Sequence, residues 1–111
     1  MSEPDVVVED VSLADLKRGL ADGSIALVDV REPNEWDAGH IAGAVLNPLS
    51  GFDPQALPRD AGKRVVLHCR SGKRSVTALT LAQRAGRHDV RAHFGGGMLG
   101  WQSAGEPVSR D

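Results

Sequence analysis

Cys69 is the single cysteine of the chain, and its neighbours are of the kind that turn a thiol into a reagent. It opens the stretch Cys69-Arg70-Ser71-Gly72-Lys73-Arg74-Ser75, which carries one glycine and three cations. The residues before it, Val65-Val66-Leu67-His68, read as a short buried strand, because β-branched and apolar residues cluster there. The residues after it, Val76 to Ala85, are apolar at helical spacing. A tight loop that hands a strand over to a helix aims successive backbone N–H groups into one concavity. The helix N-terminus adds its partial positive charge. A cysteine at the rim of that concavity would be held largely as thiolate, the nucleophilic form. Arg70, Lys73 and Arg74 would favour that charge and draw in an anionic substrate.

Other polar residues invite chemistry less strongly. Asp29, Arg31 and Glu32 stand at the end of a second apolar run, where an ion-pair and hydrogen-bond set that pins neighbouring loops is the favoured reading. Arg31 could also help attract an anion. His68 directly precedes Cys69, so strand alternation sends its ring to the opposite face and makes it a poor base for the thiol. His40 is assigned to securing a turn. His88 and His93 show no metal-ligand spacing with each other or with Cys69, so no metal is expected. Trp36 and Trp101 read as core or pocket-wall aromatics.

The elements that must position these residues follow from patterning. Met1 to Asp5 is polar and expected to fray, and Val6-Val7-Val8 is β-branched enough for a first strand. Ser12 with Asp15 starts a helix carrying Leu13, Leu16 and Leu20, which Gly23 ends. Ile25 to Val30 reads as a strand buried on both faces. Pro33 to Ala38 is a short helical turn, and Gly39 and Gly43 bracket the entry to a third strand at Ala44-Val45-Leu46. Pro48, Gly51, Pro54 and Pro58 mark a loop with one irregular turn near Pro54 to Leu57. After the strand and loop of Cys69, apolar stripes at Val76, Leu79 and Ala82 and at Ala78, Leu81 and Ala85 predict a helix packed in the interior beside the sheet, with Gly86 just past its end. Val90 to Phe94 is the last strand, and Gly95-Gly96-Gly97 a turn into a final helix around Leu99 to Ala104. Alternating strands and helices imply an α/β fold with parallel strands, whose ligands gather beyond the carboxyl ends of the strands.

The totals bound the function. A length of 111 residues suits one compact domain, and a 41% apolar share with 25% charge is ordinary for a globular chain. A net charge of −2 argues against nucleic acid as partner. One cysteine allows no internal disulfide, which fits a reducing compartment. With no signal-like leader and no apolar run long enough to span a bilayer, no membrane association is expected and the cytoplasm is the default location.

Three stretches carry a resemblance. The Cys69-Arg70-Ser71-Gly72-Lys73-Arg74-Ser75 loop resembles the active-site loop of rhodanese-type sulfurtransferases. Asp29-Val30-Arg31-Glu32-Pro33, with Glu35-Trp36 and Gly39-His40-Ile41-Ala42-Gly43-Ala44, is similar to that family's Asp-Val-Arg and Gly-His-Ile signature. Gly96-Gly97-Met98-Leu99-Gly100-Trp101, with Gly105-Glu106-Pro107-Val108, is similar to its C-terminal element. They occur in the family's order and cover nearly everything from Val11 to Val108. Ala42, Gly95 and His68 depart from its usual residues.

The resemblance implies a rhodanese-like α/β fold, a mainly parallel sheet of about five strands with helices on both faces, in a single domain over 1–111 with a core of about 9–108. It implies a single-domain sulfurtransferase with no cofactor. The Cys69 thiolate would take the outer sulfur of thiosulfate or a similar donor and pass it, from a persulfide, to cyanide or a thiol. Arg70, Ser71, Gly72, Lys73, Arg74 and Ser75 would bind the substrate, their amides stabilising charge on the outer sulfur. Arg74 fills the family's fixed arginine position and Lys73 a variable one. Asp29 and Arg31 would support the loops. A protein thiol or protein persulfide could replace the small molecules as partner. Two alternatives remain: a non-catalytic, partner-binding module of the same fold, and a cysteine-dependent phosphatase or arsenate reductase. Loop length opposes the second, because four residues separate Cys69 from Arg74 where phosphatases need five, and Ser75 stands where their arginine would be.

Overall fold

The computed structural model describes residues 6–111; the fraying expected for Met1 to Asp5 lies outside them. The elements run β1 (Glu9–Asp10), α1 (Leu13–Asp22), β2 (Ile25–Asp29), α2 (Pro33–Ala38), β3 (Val45–Leu46), β4 (Arg64–His68), α3 (Lys73–Arg84), β5 (Ala92–His93) and α4 (Gly97–Ser103). Two single 3-10 turns, Leu49–Gly51 and Pro54–Ala56, interrupt the long connection between β3 and β4. The five strands form one sheet in the order β1-β5-β4-β2-β3, and every ladder is parallel. The expected fold class is the observed one.

Strand alternation divides the molecule into two cores. Val28, Val30, Val65, Leu67 and Cys69 face α3, where Ala78, Leu79 and Ala82 meet them with Leu57 and Val90. Leu27 and Val66 face the other way and pack with Leu16 of α1, Phe94, and Met98 and Trp101 of α4. Near-continuous apolar residues in β2 and β4 follow from this two-sided burial. The central strands are therefore fixed from above and below.

Several elements differ from expectation for identifiable reasons. The first strand is Glu9–Asp10, not Val6 to Val8, because the ladder to β5 starts at Glu9 N–H, which donates to Arg91 O. Val7 pairs instead with a side chain: its N–H donates to Gln83 Oε1 at 3.0 Å, and Gln83 Nε2 donates to Val7 O at 2.8 Å. The last strand shrinks to Ala92–His93, since Val90 N–H turns back to Arg87 O. Helix α3 begins at Lys73, so Lys73, Arg74 and Ser75 form its first turn. It buries one face, Ser75, Ala78, Leu79 and Ala82, while Val76 and Leu81 are exposed; it covers the sheet and does not run through the interior.

Buried cations tie down the irregular segments. Arg87, 2% exposed, donates to the carbonyls of Pro54, Leu57 and Pro58 and pairs with the Asp89 carboxylate at 2.8 Å. The side chain of one arginine thus does for the β3–β4 connection what a ladder does for a strand. Helix α1 starts as its sequence predicts, with Ser12 Oγ accepting the Asp15 N–H, and ends at Gly23 with φ +79°.

Two contacts hold the helices around the end of β4. Gly97, at φ +59°, lets α4 approach the Cys69 loop so closely that Met98 N–H donates to Cys69 O and Leu99 N–H to Arg70 O. A Cβ on Gly97 would lie 2.6 Å from Cys69 O and nearer still to Arg70 O. Arg74 of α3 grips Glu35 of α2 through two hydrogen bonds, Nη1 to Oε1 at 2.6 Å and Nη2 to Oε2 at 2.9 Å. The Arg74 hydrogen bonds, opposed by partial burial, hold the Glu35 carboxyl at about 2, below its ordinary 4.5.

Gly97→Ala is therefore expected to lose about 2 kcal/mol of stability in urea unfolding, through overpacking and a disfavoured backbone angle. Glu35→Gln keeps a polar group at the start of α2 and removes the charge. A depressed carboxyl contributes stability above its unfolded value and loses it as pH falls through its folded one. The urea midpoint of the wild type should exceed that of Glu35→Gln fully above pH 4.5, and the difference should vanish as pH falls towards about 2. A pH-independent difference would contradict this linkage.

Candidate active site

Cys69 follows the last residue of β4, at the carboxyl end of the sheet, with Asp29 at the same end of β2 and His93 at that of β5. Its thiol is not at the rim of the loop but on the floor, 1% exposed. The chain then climbs over it. Gly72, at φ +97°, turns the backbone into α3 so that its own N–H donates to Cys69 Sγ at 3.1 Å. That angle excludes ordinary side chains, and a Cβ would also lie 2.8 Å from Gly95 O on the facing turn.

The sulfur is consequently surrounded by donors. Burial pushes the Cys69 thiol up, and the Ser75 amide, the Ser75 hydroxyl and the amides of Ser71 and Gly72 act in the opposite sense. The donors win, and the thiol lies below its ordinary value. The loop and the first turn of α3 together form a concave set of N–H groups around one sulfur atom. Such a site favours the thiolate form and can stabilise negative charge on an atom bonded to it.

The three cations separate in role. Arg74 is engaged by Glu35, yet lies near enough to the thiolate for the two charges to interact favourably. Arg70 and Lys73 are exposed beside the loop, as is Ser71. Ser75 is fully buried, with its Oγ 3.7 Å from Cys69 Sγ and 3.1 Å from Gly72 O.

Asp29 and Arg31 form a buried pair beneath the site. Arg31 Nη2 donates to Asp29 Oδ2 at 2.7 Å and to Gly39 O at 2.9 Å, and its Nε reaches both carboxylate oxygens at 3.0 Å. With Arg31 6% exposed and committed to these partners, it braces the turn after α2 and is not presented to an anion. His68 lies beside this pair on the face away from the thiol, Nε2 3.6 Å from Asp29 Oδ2. Burial lowers the pKa of His68 against the opposing charge of Asp29 and so favours the neutral ring. His40 stacks on Trp36 with ring centroids 3.7 Å apart, and its Nδ1 pairs with Trp36 O at 3.0 Å. Trp101 is buried and donates from Nε1 to Pro107 O.

Two residues escape the sequence reading. Glu35 lies in the spacing Glu32-x-x-Glu35, where Glu32 N–H donates to Glu35 Oε1, a helix-start signal legible in principle. His93 sits 2.7 Å from Ser75 Oγ through Nδ1. No sequence signal points to it, since only the pairing of β5 with β4 brings residue 93 beside residue 69. Among the described residues, no group of three or more His, Cys, Asp or Glu could hold a metal ion, and no helix is long and apolar enough to cross a membrane.

Comparison with known proteins agrees with this architecture. Residues 12–104 match the rhodanese-like domain family. An uncharacterized protein of Synechocystis sp. is 44% identical over 85 residues, covering 77% of this chain and 47% of that protein. The probable adenylyltransferase/sulfurtransferase MoeZ of Mycobacterium tuberculosis is 41% identical over 87 residues, covering 75% of this chain and 21% of that one. The chain thus spans about half or less of the length of these two relatives. Among solved structures, the human single domain sulfurtransferase TSTD1 is 31% identical with a TM-score of 0.71, covering 85% of this chain and 95% of that one. The parallel sheet, the loop after β4 and these similarities together place the chain in the rhodanese-like domain family.

Proposed function

We propose that this chain is a sulfurtransferase in which Cys69 carries sulfane sulfur as a persulfide. The observation that carries the reading is the Gly72 N–H donated to Cys69 Sγ at 3.1 Å, at the centre of a loop whose amides lower the pKa of a buried thiol. Burial alone would favour an inert thiol, so the donors have a purpose other than packing. Relatives named as sulfurtransferases, MoeZ and TSTD1, support the reaction class.

In the first half-reaction the Cys69 thiolate attacks the outer sulfur of thiosulfate or a similar donor. A new S–S bond forms, the donor's S–S bond breaks, and sulfite leaves with the electron pair. The outer sulfur of the persulfide carries the negative charge, and the loop amides stabilise it there. In the second half-reaction cyanide or a thiolate attacks that outer sulfur, and Cys69 departs as thiolate. Two easier displacements replace one difficult transfer. Exposed Arg70 and Lys73 draw the anionic donor to the mouth of the loop. The length of the loop counts against phosphoryl transfer: Ser75, buried against Cys69, stands where a phosphatase would place its arginine.

Intact mass of the reduced protein, measured before and after thiosulfate, tests this. The wild type should gain one sulfur atom and lose it to cyanide, and Cys69→Ser should gain none. A folded wild type with a free thiol and no gain would contradict the proposal and favour a partner-binding role for the fold.

A further inference from the structure

His93 is a buried titratable side chain that reaches the Cys69 thiol through one hydroxyl, and the reaction above does not use it. It lies at the carboxyl end of β5, paired with Leu67 of β4 on one side and Asp10 of β1 on the other. Its Nδ1 is 2.7 Å from Ser75 Oγ, and Ser75 Oγ is 3.7 Å from Cys69 Sγ. Sulfur, hydroxyl and imidazole form a continuous line, and all three residues are buried. A hydroxyl has one proton and can accept others, so its orientation depends on which neighbour holds a proton.

We propose that His93 is a positioning residue that stores the Cys69 thiol proton, with Ser75 as the relay between them. In the form that still holds the thiol proton, the S–H donates to Ser75 Oγ, and the Ser75 O–H donates to His93 Nδ1. Transfer moves the thiol proton to Oγ while the hydroxyl proton moves to Nδ1. The products are a thiolate accepting from the Ser75 O–H, and an imidazolium whose Nδ1–H donates to Ser75 Oγ. Protons and charge balance, and no heavy atom has to move. The carbonyl of Gly72, 3.1 Å from Ser75 Oγ, offers the hydroxyl its other acceptor when His93 already carries the Nδ1 proton.

Burial is the larger influence on His93 and lowers its pKa, with the Asp10 carboxylate opposing it in part. The ring therefore holds the proton only while the thiolate charge faces it through Ser75. Asp10 is itself held on this side of the sheet by the Gly95 N–H, 2.8 Å from its Oδ1. The titratable groups facing His93 are thus Asp10, from β1, and Cys69 through Ser75 of α3; Leu67 of β4 is uncharged. The assignment deepens the proposed sulfur transfer: the proton rests on His93 while thiolate attacks, and is returned when Cys69 departs.

Alkylation of Cys69 by iodoacetamide across pH tests the relay without any sulfur donor, so it can fail while persulfide formation succeeds, and the reverse. The variants are His93→Asn, which keeps a hydrogen-bonding group near the Nδ1 position but cannot titrate, Ser75→Ala, and Ser75→Thr, which keeps the hydroxyl. Near pH 6.5, His93→Asn and Ser75→Ala should alkylate about tenfold more slowly than wild type, one unit of thiol pKa, and rejoin it at high pH. Ser75→Thr, which restores the hydroxyl, should alkylate faster than Ser75→Ala at the same pH. Because a buried substitution can disturb folding, the reciprocal effect is read with His93 intact: by NMR, its ring should titrate at higher pH in the wild type than in Cys69→Ser. A His93→Asn profile that superimposes on wild type overturns the relay. So does a Ser75→Ala shift without a His93→Asn shift, or a His93 titration that is the same with and without Cys69.

Discussion

The molecule turns on a contest over one sulfur atom. Burial opposes a charge on Cys69, and the amides of Ser71, Gly72 and Ser75 with the Ser75 hydroxyl favour it. Those donors are effective because they are fixed before any substrate arrives. Their positions come from outside the loop: Gly97 allows α4 to hold the carbonyls of Cys69 and Arg70, and Gly72 allows the loop to pass against Gly95. Arg74 joins the start of α3 to α2 through Glu35. Each of these contacts costs conformational freedom, and together they restrict the loop to one shape.

Alternation in β4 gives its two ends of chemistry separate compartments. Cys69 lies on the α3 side, with Ser75 and His93. His68, one residue earlier, lies on the opposite face beside Asp29, whose carboxylate is already bound to Arg31. The two histidines therefore serve different ends: one is buried beside a structural ion pair, and the other is in hydrogen-bonded reach of the thiol through a hydroxyl. A one-residue register slip would exchange the faces and destroy both.

Much of this was legible in the sequence where local chemistry decides it. The Ser12 cap, the Gly23 and Gly86 turns, the apolar run of β2 and the strand-loop-helix around Cys69 depend on neighbours within a few residues. Elements set by distant partners were not. Val6 to Val8 has strand-forming residues, yet the ladder begins at Glu9 and Gln83 takes the valine backbone. The depth of Cys69 was also hidden, because a loop rich in cations reads as a surface and the packing of α4 over it is a long-range fact. The sequence sets His93 aside as a metal ligand and assigns it no other role; its nearness to Ser75 follows from the β4–β5 register, which no local pattern carries.

Backbone donors outweigh burial at Cys69, lower its pKa and so favour the thiolate. Ultraviolet absorbance of the thiolate reports this directly, and the single cysteine makes the signal unambiguous. Titration of the reduced, folded protein should give a midpoint below that of the same protein unfolded in urea. A midpoint at the ordinary thiol value of about 8.5 or above, the same folded and unfolded, would show that the loop does not hold a thiolate and would contradict the account.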